Sequence, residues 1–358
     1  MFADDIKESL TEEAYNVFSR TGIGSYDEMY ALLVQFPSIN GISGIDLPSL
    51  SYVAVGIISS AAASNARAHT QTRVRFGRGA FTPPKSVVGT GYREPVPSGP
   101  ANAAMGPNSP ISHVLSAPVR NQGLRGTCVA HAVVACVEWR VSFHPLSEQF
   151  KYWAAKTYGD DPFPEQEGTW VRCAKNSLAS HGVCENSLWR YNPQPIPGNE
   201  TQAGPGVPSA PALQDALLRT QSNVNYNDTS RQMSGKAAVL AQELNNGPVA
   251  ISLPVFVDLI TNEDNWSWTG AYDYGHVIDP IPLSVASEAG HAICVCEYMP
   301  SAAAPGGGWF IFKNSWGVNY WSTGNNTPPV GHPRCQAGYG YLSAAYVDKY
   351  LSELLRVV

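Results

Sequence analysis

Charge is scarce in this chain. Asp, Glu, Lys and Arg make up 15% of 358 residues, the formal net charge is −6, and the basic residues form no long run. A nucleic-acid-binding face needs such a run, so that class of function is excluded as an organising theme. Apolar runs are short as well. The longest, 52–63, falls well below the ~20 residues of a membrane-spanning helix and reads as a core helix, with no membrane span expected. The opening residues Met1–Glu8 are acidic and lack the basic start and apolar stretch of a secretory signal. No zinc-type spacing of Cys and His appears, no other metal site and no cofactor is expected, and no internal repeat is present. Seven cysteines stand at positions 128, 136, 173, 184, 294, 296 and 335. An odd number without a compact framework predicts reduced thiols and a cytoplasmic protein, with Cys173 and Cys184 the pair to watch. Hydrophobic residues at 44% are ordinary for a folded globular chain.

Along the chain, residues 1–66 read as a small all-α unit. Ile6, Leu10, Ala14, Val17 and Phe18 recur at helical spacing, and Ser25 to Glu28 has the form of a capping box opening a helix that Pro37 closes. Residues 67–112 turn to Gly, Pro, Ser and Asn with scattered arginines. They read as a linker, either a solvated tether or a strap laid across a site to keep it shut. Beyond residue 113 the pattern predicts helices over 128–143, 146–158 and 170–181. A surface insertion follows at 192–210, then a last helix over 234–246 before the pattern turns to strands. Strands are expected at 249–253, 292–298, 309–313 and 339–342. Helices ahead of strands is an α+β signature.

The run Pro118-Val-Arg-Asn-Gln-Gly-Leu-Arg-Gly-Thr-Cys128 sets a thiol behind two glycines at the start of a buried helix. A thiol attacks carbonyls only as thiolate, and a helix N-terminus with an adjacent imidazole lowers its pKa. Gln122 has a side-chain amide able to donate to an oxyanion beside the Cys128 backbone N–H. Among eight histidines, His291 follows Gly290 at the start of a strand and is preferred as base, whereas His276 is followed by loop. Asn314 ends the next strand and can orient the imidazole, with Trp316 covering that bond. His131, on the helix of Cys128, reads as a core residue rather than a second base.

These residues resemble the papain-like cysteine peptidases over 116–350. The resemblance rests on Pro118 to Gly123 followed by Cys128, Leu146-Ser-Glu-Gln149, Gly247-Pro-Val-Ala, Gly290-His291-Ala, Asn314-Ser-Trp-Gly317 and Gly338-Tyr-Gly-Tyr-Leu, all in the family's order. It implies a two-lobed α+β fold over 113–358, a helical lobe beside a β-rich one, and hydrolysis of protein or peptide substrates through an acyl-enzyme. It also implies Cys128 as nucleophile, His291 as base and acid, Asn314 as orienter and Gln122 in the oxyanion hole. Gly168 is implied to pair substrate backbone, with Gly290 and Trp316 beside it. Arg125 stands where secreted relatives carry half of a disulfide. The alternatives are a peptide ligase or amide transferase, and a catalytically silent binding module. Residues 1–112 read either as an inhibitory leader that makes the chain a zymogen or as a unit recruiting a protein partner.

Overall fold

The computed structural model describes residues 80–81, 110–113, 115–142, 144–193, 207–232, 234–258, 264–267, 275–280, 284–286, 289–320 and 331–358. The expected helical unit at 1–66 and most of the 67–112 linker lie outside the described residues.

Helix α1, Cys128–Arg140, is buried from Cys128 through Glu138. Valine, alanine and cysteine occupy every face, the pattern of a helix walled in on all sides. Helix α2, Glu148–Tyr158, begins at Ser147, whose hydroxyl accepts from Phe150 N, a standard N-cap. Helix α3, Val171–His181, stops at Gly182, whose φ of +63° and close approach to Ala216 O leave no room for a side chain. These three match the expected helices to within three residues at either end.

The sheet is antiparallel, in the order β3 (Val224–Asp228), β10 (Glu353–Val357), β4 (Val249–Leu253), β7 (Ala289–Pro300), β8 (Gly308–Lys313) and β9 (Tyr339–Ser343). Two short pieces, β1 (Ala80–Phe81) and β2 (Ile111–Ser112), also pair with β7. Helix α1 packs on β7 and β4, so the shared core of helix and sheet contains Cys128, Val133, Cys136, Ala250, Ala292 and Cys294. A separate ribbon joins β5 (Phe256–Asp258) to β6 (Ser284–Ala286).

Several expectations need correction. The helix at 234–246 is observed as α5 (Lys236–Leu244), directly ahead of β4, but an unanticipated helix, α6 (Ala344–Tyr350), follows β9. Helix α4 (Ala210–Leu217) begins at the end of the expected surface insertion, initiated by Ser209 and Pro211. Strands β3 and β10 were not anticipated. None of the seven cysteines is in a disulfide and all are buried. Cys173 and Cys184 belong to different apolar clusters, while Cys136 and Cys294 bring their sulfurs to 3.6 Å.

Candidate active site

The turn into α1 is held by the segment that ends β8. Gln122 N donates to Ser315 O at 2.8 Å, Gly317 N donates to Arg120 O at 3.0 Å, and Asn121 bridges Trp316. Gly123 then turns with φ +62°, and a Cβ there would lie 2.3 Å from Pro193 O, so glycine is required. Cys128 is the first residue of α1 and is fully buried. At that position its neighbours are backbone N–H groups without intrahelical acceptors, and the helix dipole favours negative charge. Tyr191 braces the turn, its hydroxyl 2.6 Å from Thr127 Oγ1 and donating to Gln122 O at 2.9 Å.

Gln122 is fixed at both ends of its amide. Nε2 donates to Arg125 O at 2.7 Å and Oε1 accepts from Ser315 Oγ. Arg125 is buried, donates to Gln149 Oε1 and Asn192 O, and lies over the rings of Tyr152 and Tyr191 at 5.6 and 5.1 Å. Where the resemblance implies a disulfide, this chain carries a guanidinium that stitches α1's entry to α2 and the 191–192 segment.

On the sheet side, His291 sits on β7 opposite Leu253. Gly290 precedes it because strands crowd there: a Cβ would lie 2.5 Å from Leu253 O. The His291 Nε2 to Asn314 Oδ1 distance is 2.8 Å, and Ser315 N donates to the same oxygen at 2.8 Å. Since Oδ1 accepts a backbone N–H, the amide orientation is settled and Nε2 is the protonated nitrogen of the neutral ring. Trp316 stacks on the imidazole at 4.5 Å and 30°, and Trp266 meets it edge-on at 5.0 Å. Both tryptophans are buried, so the His291–Asn314 bond lies in a low-dielectric box. Trp266 was missed by sequence reasoning; it belongs to no periodic run that would have marked it.

Gly168, with φ +94°, donates to Tyr152 OH at 3.1 Å and accepts from Lys156 Nζ at 2.7 Å. Lys156 also reaches Phe163 O and pairs with Asp161 at 2.9 Å, both side chains buried. Burial pushes the Lys156 pKa down, with Asp161 pulling it back up. Glu167 accepts from Gly126 N, tying this loop to the entry of α1. The residue that meets an extended chain is the next one: Ala80 bridges Thr169 in parallel and Gly290 in antiparallel. Ala80 is buried in the same apolar cluster as Cys128.

The structure thus gathers His291, Asn314, Trp316 and Gln122 into one hydrogen-bonded and stacked group, sets Cys128 at the helix start nearby in sequence to Gln122, and places Gly168 and Gly290 in the two stretches that flank Ala80. His276 stands apart, stacked on Tyr341 at 4.9 Å. Among the described residues no cluster of three or more His, Cys, Asp or Glu could hold a metal ion.

No family model and no curated protein sequence matches the chain. Among solved structures it is similar to xylellain, a cysteine protease from Xylella fastidiosa, at 19% identity over 78% of this chain and 92% of that one, with a TM-score of 0.48. It is similar to digestive procathepsin L 3 from the larval midgut of Tenebrio molitor at 13% identity over 93% and 99% of the two chains, TM-score 0.45. The Amb a 11 cysteine protease, a ragweed pollen allergen in its proform, is similar at 13% identity over 93% and 95%, TM-score 0.49.

Proposed function

We propose that the chain is a papain-like cysteine peptidase whose closed form is described here. The observation that carries this reading is the oriented His291–Asn314 bond under Trp316, beside a helix that begins with a cysteine. The Cys128 thiolate attacks the scissile carbonyl, and its charge is favoured by the α1 N-terminus and by protonated His291. The developing oxyanion accepts from Cys128 N and from the side-chain amide of Gln122. His291 Nδ1 then delivers its proton to the leaving amine, giving a thioester, and afterwards takes a proton from the water that resolves it.

Full burial of Cys128 fits this chemistry only if something covers the site. We assign that role to the segment at Ala80, which pairs with Thr169 on one side and Gly290 on the other, as a substrate backbone would. Residues 1–112 are then an inhibitory leader rather than a partner-recruiting unit. Thr169, beside Gly168, takes over the backbone-pairing role, since Gly168 uses its own N–H and C=O on Tyr152 and Lys156.

The test is incubation of the full chain beside its Cys128→Ala variant, with iodoacetamide labelling and a fluorogenic peptide library as readouts. A cut between residues 82 and 109, followed by labelling of Cys128 and peptide hydrolysis, is expected only with the intact thiol. The variant should lose about 10⁴-fold or more in rate. Hydrolysis products bearing free carboxylates argue against a ligase. A chain that neither labels nor hydrolyses after removal of residues 1–112 is a silent binding module, the reading that the buried thiol otherwise favours.

A further inference from the structure

A small pocket lies between α1, the start of α2, β7 and the end of β8, with Arg120, His131, Glu148, Ile293, Lys313 and Asn314 in its wall. Three atoms of these residues are buried polar groups without a hydrogen-bond partner among the described residues: His131 Nε2, Glu148 Oε2 and Asn314 Nδ2. Their residues are 6%, 1% and 3% exposed. An unmet polar atom at such depth is costly, and several around one cavity mark a site for buried water.

The chemistry of each atom is settled by its other contacts. His131 Nδ1 lies 3.0 Å from Thr127 O, so Nδ1 carries the proton and Nε2 presents a lone pair. Burial holds this ring neutral, its pKa lowered to about 3, with the positive charges of Arg120, Arg125 and Lys313 acting in the same direction. Glu148 Oε1 is taken by Arg120, which also pairs with Glu138 at 2.5 Å. Lys313 Nζ is directed to Ala117 O at 2.8 Å. Asn314 Oδ1 already accepts from Ser315 N and faces His291, so both Nδ2 hydrogens are on the other side. The His131 lone pair, the Glu148 oxygen, which accepts when ionised and donates when protonated, and an amide donor around one cavity are groups that a water molecule, with two hydrogens and two lone pairs, satisfies in either state.

We propose that this chamber holds ordered water bridging His131 Nε2, Glu148 Oε2 and Asn314 Nδ2. His131 is then a positioning residue: through the water it fixes the Asn314 amide, and through Asn314 the imidazole of His291. The inference rests on the proposed roles of His291 and Asn314, but its first readout does not require activity. A high-resolution crystal structure of the full chain is expected to show water density within hydrogen-bond reach of all three atoms; a dry chamber overturns the proposal. The second readout compares His131→Phe, which fills the volume without an acceptor, with His131→Gln, whose amide oxygen restores one. In leader-free enzyme, His131→Phe should lower kcat about tenfold at unchanged KM, the size of one lost hydrogen bond, and His131→Gln should recover most of it. The pH profile of Cys128 alkylation by iodoacetamide should shift upward in His131→Phe and return in His131→Gln. A His131→Phe profile and kcat equal to those of the parent sink the idea, as does equal impairment in both variants, which marks a packing role alone. A parent chain without peptidase activity defeats the functional reading while leaving the water density and the alkylation profile to judge this one.

Discussion

On the helical side of the site, position is set by buried charge: Lys156 holds Gly168 O, Phe163 O and Asp161, Arg125 joins Gln149 to Asn192 O, and Arg120 bridges Glu138 and Glu148. On the sheet side it is set by register and ring faces. His291 is placed by its pairing with Leu253 and confined by Trp316 and Trp266, which contacts Phe312 in turn at 5.7 Å. The two constructions fail differently. A charge pair fails when one partner is removed and tolerates losing both, whereas an aromatic wall fails by volume and has no compensating partner.

The largest effects come from breaking each construction at its centre. Lys156→Met leaves the Asp161 carboxylate buried with only Thr169 Oγ1 and Phe163 N as donors, and should cost about 3–5 kcal/mol. Adding Asp161→Leu should return part of that loss, because the desolvation of both ions disappears with them while Gly168 O and Phe163 O still lack the ammonium donor. Trp266→Ala should cost a similar ~3–5 kcal/mol through the cavity it leaves, and no second substitution in its wall should restore it. Urea unfolding midpoints at constant m-value measure all three. A double Lys156/Asp161 variant no more stable than the single one would erase the distinction between the two sides.

Those same residues mark where the sequence ran out. Helix α1 was legible because Val, Ala and Cys fill consecutive positions between a glycine-rich turn and Arg140, and β4, β7, β8 and β9 because β-rich runs are bounded by turns. Cys128, His291 and Asn314 stood out as candidates because each lies at or beside the end of such an element, and Gln122 because it lies in the turn leading into α1. Strand β3, Val-Asn-Tyr-Asn-Asp, alternates over only two apolar residues, Val224 and Tyr226, too short a run to stand out from loop; it forms because β10 offers a partner from Glu353 to Val357. Strand β10 itself buries Glu353, which accepts from Val171 N and Arg172 N at the start of α3, and Arg356, which donates to Glu243. Charges satisfied by residues more than a hundred positions away disguise a core strand as a surface one. Trp266 was missed for a related reason, its partners His291, Phe312 and Trp316 lying 25 or more positions away, whereas Lys156 finds its partners Asp161, Phe163 and Gly168 in the loop just after its own helix.

A smaller effect acts through protonation, since the fold holds two histidines neutral, His131 buried on α1 and His276 half-buried against Tyr341. Burial lowers His131 to about 3 and His276 to about 4, from 6.5. Between those values and 6.5 the unfolded chain binds more protons than the folded one, so stability falls as pH drops through that window. Glu148 acts oppositely: burial lifts it from 4.5 to about 7 against the pull of Arg120, so its contribution favours the folded chain less as pH rises over that range. Thermal unfolding should therefore steepen its acid dependence below about pH 4.5, where Glu148 is protonated in both states. The His131→Phe/His276→Phe double variant should flatten the curve; an unchanged acid slope would mean that neither ring is held neutral.

The smallest contrast compares two helix caps with the same local geometry, one on each side. Ser147 Oγ accepts from Phe150 N at 3.0 Å to start α2, and Ser343 Oγ accepts from Tyr346 N at 3.0 Å to start α6. Removing a serine N-cap alone costs about 1 kcal/mol, so Ser343→Ala should land there. Ser147 also donates to Trp189 O, inside the cluster of Phe150, Trp153 and Trp189. Ser147→Ala strips that buried carbonyl of its donor as well, and the total should approach about 2 kcal/mol. The two variants share chemistry, cap type and bond length, so a measured difference near zero would show that the tighter polar stitching of the helical side adds nothing to its stability beyond the cap itself.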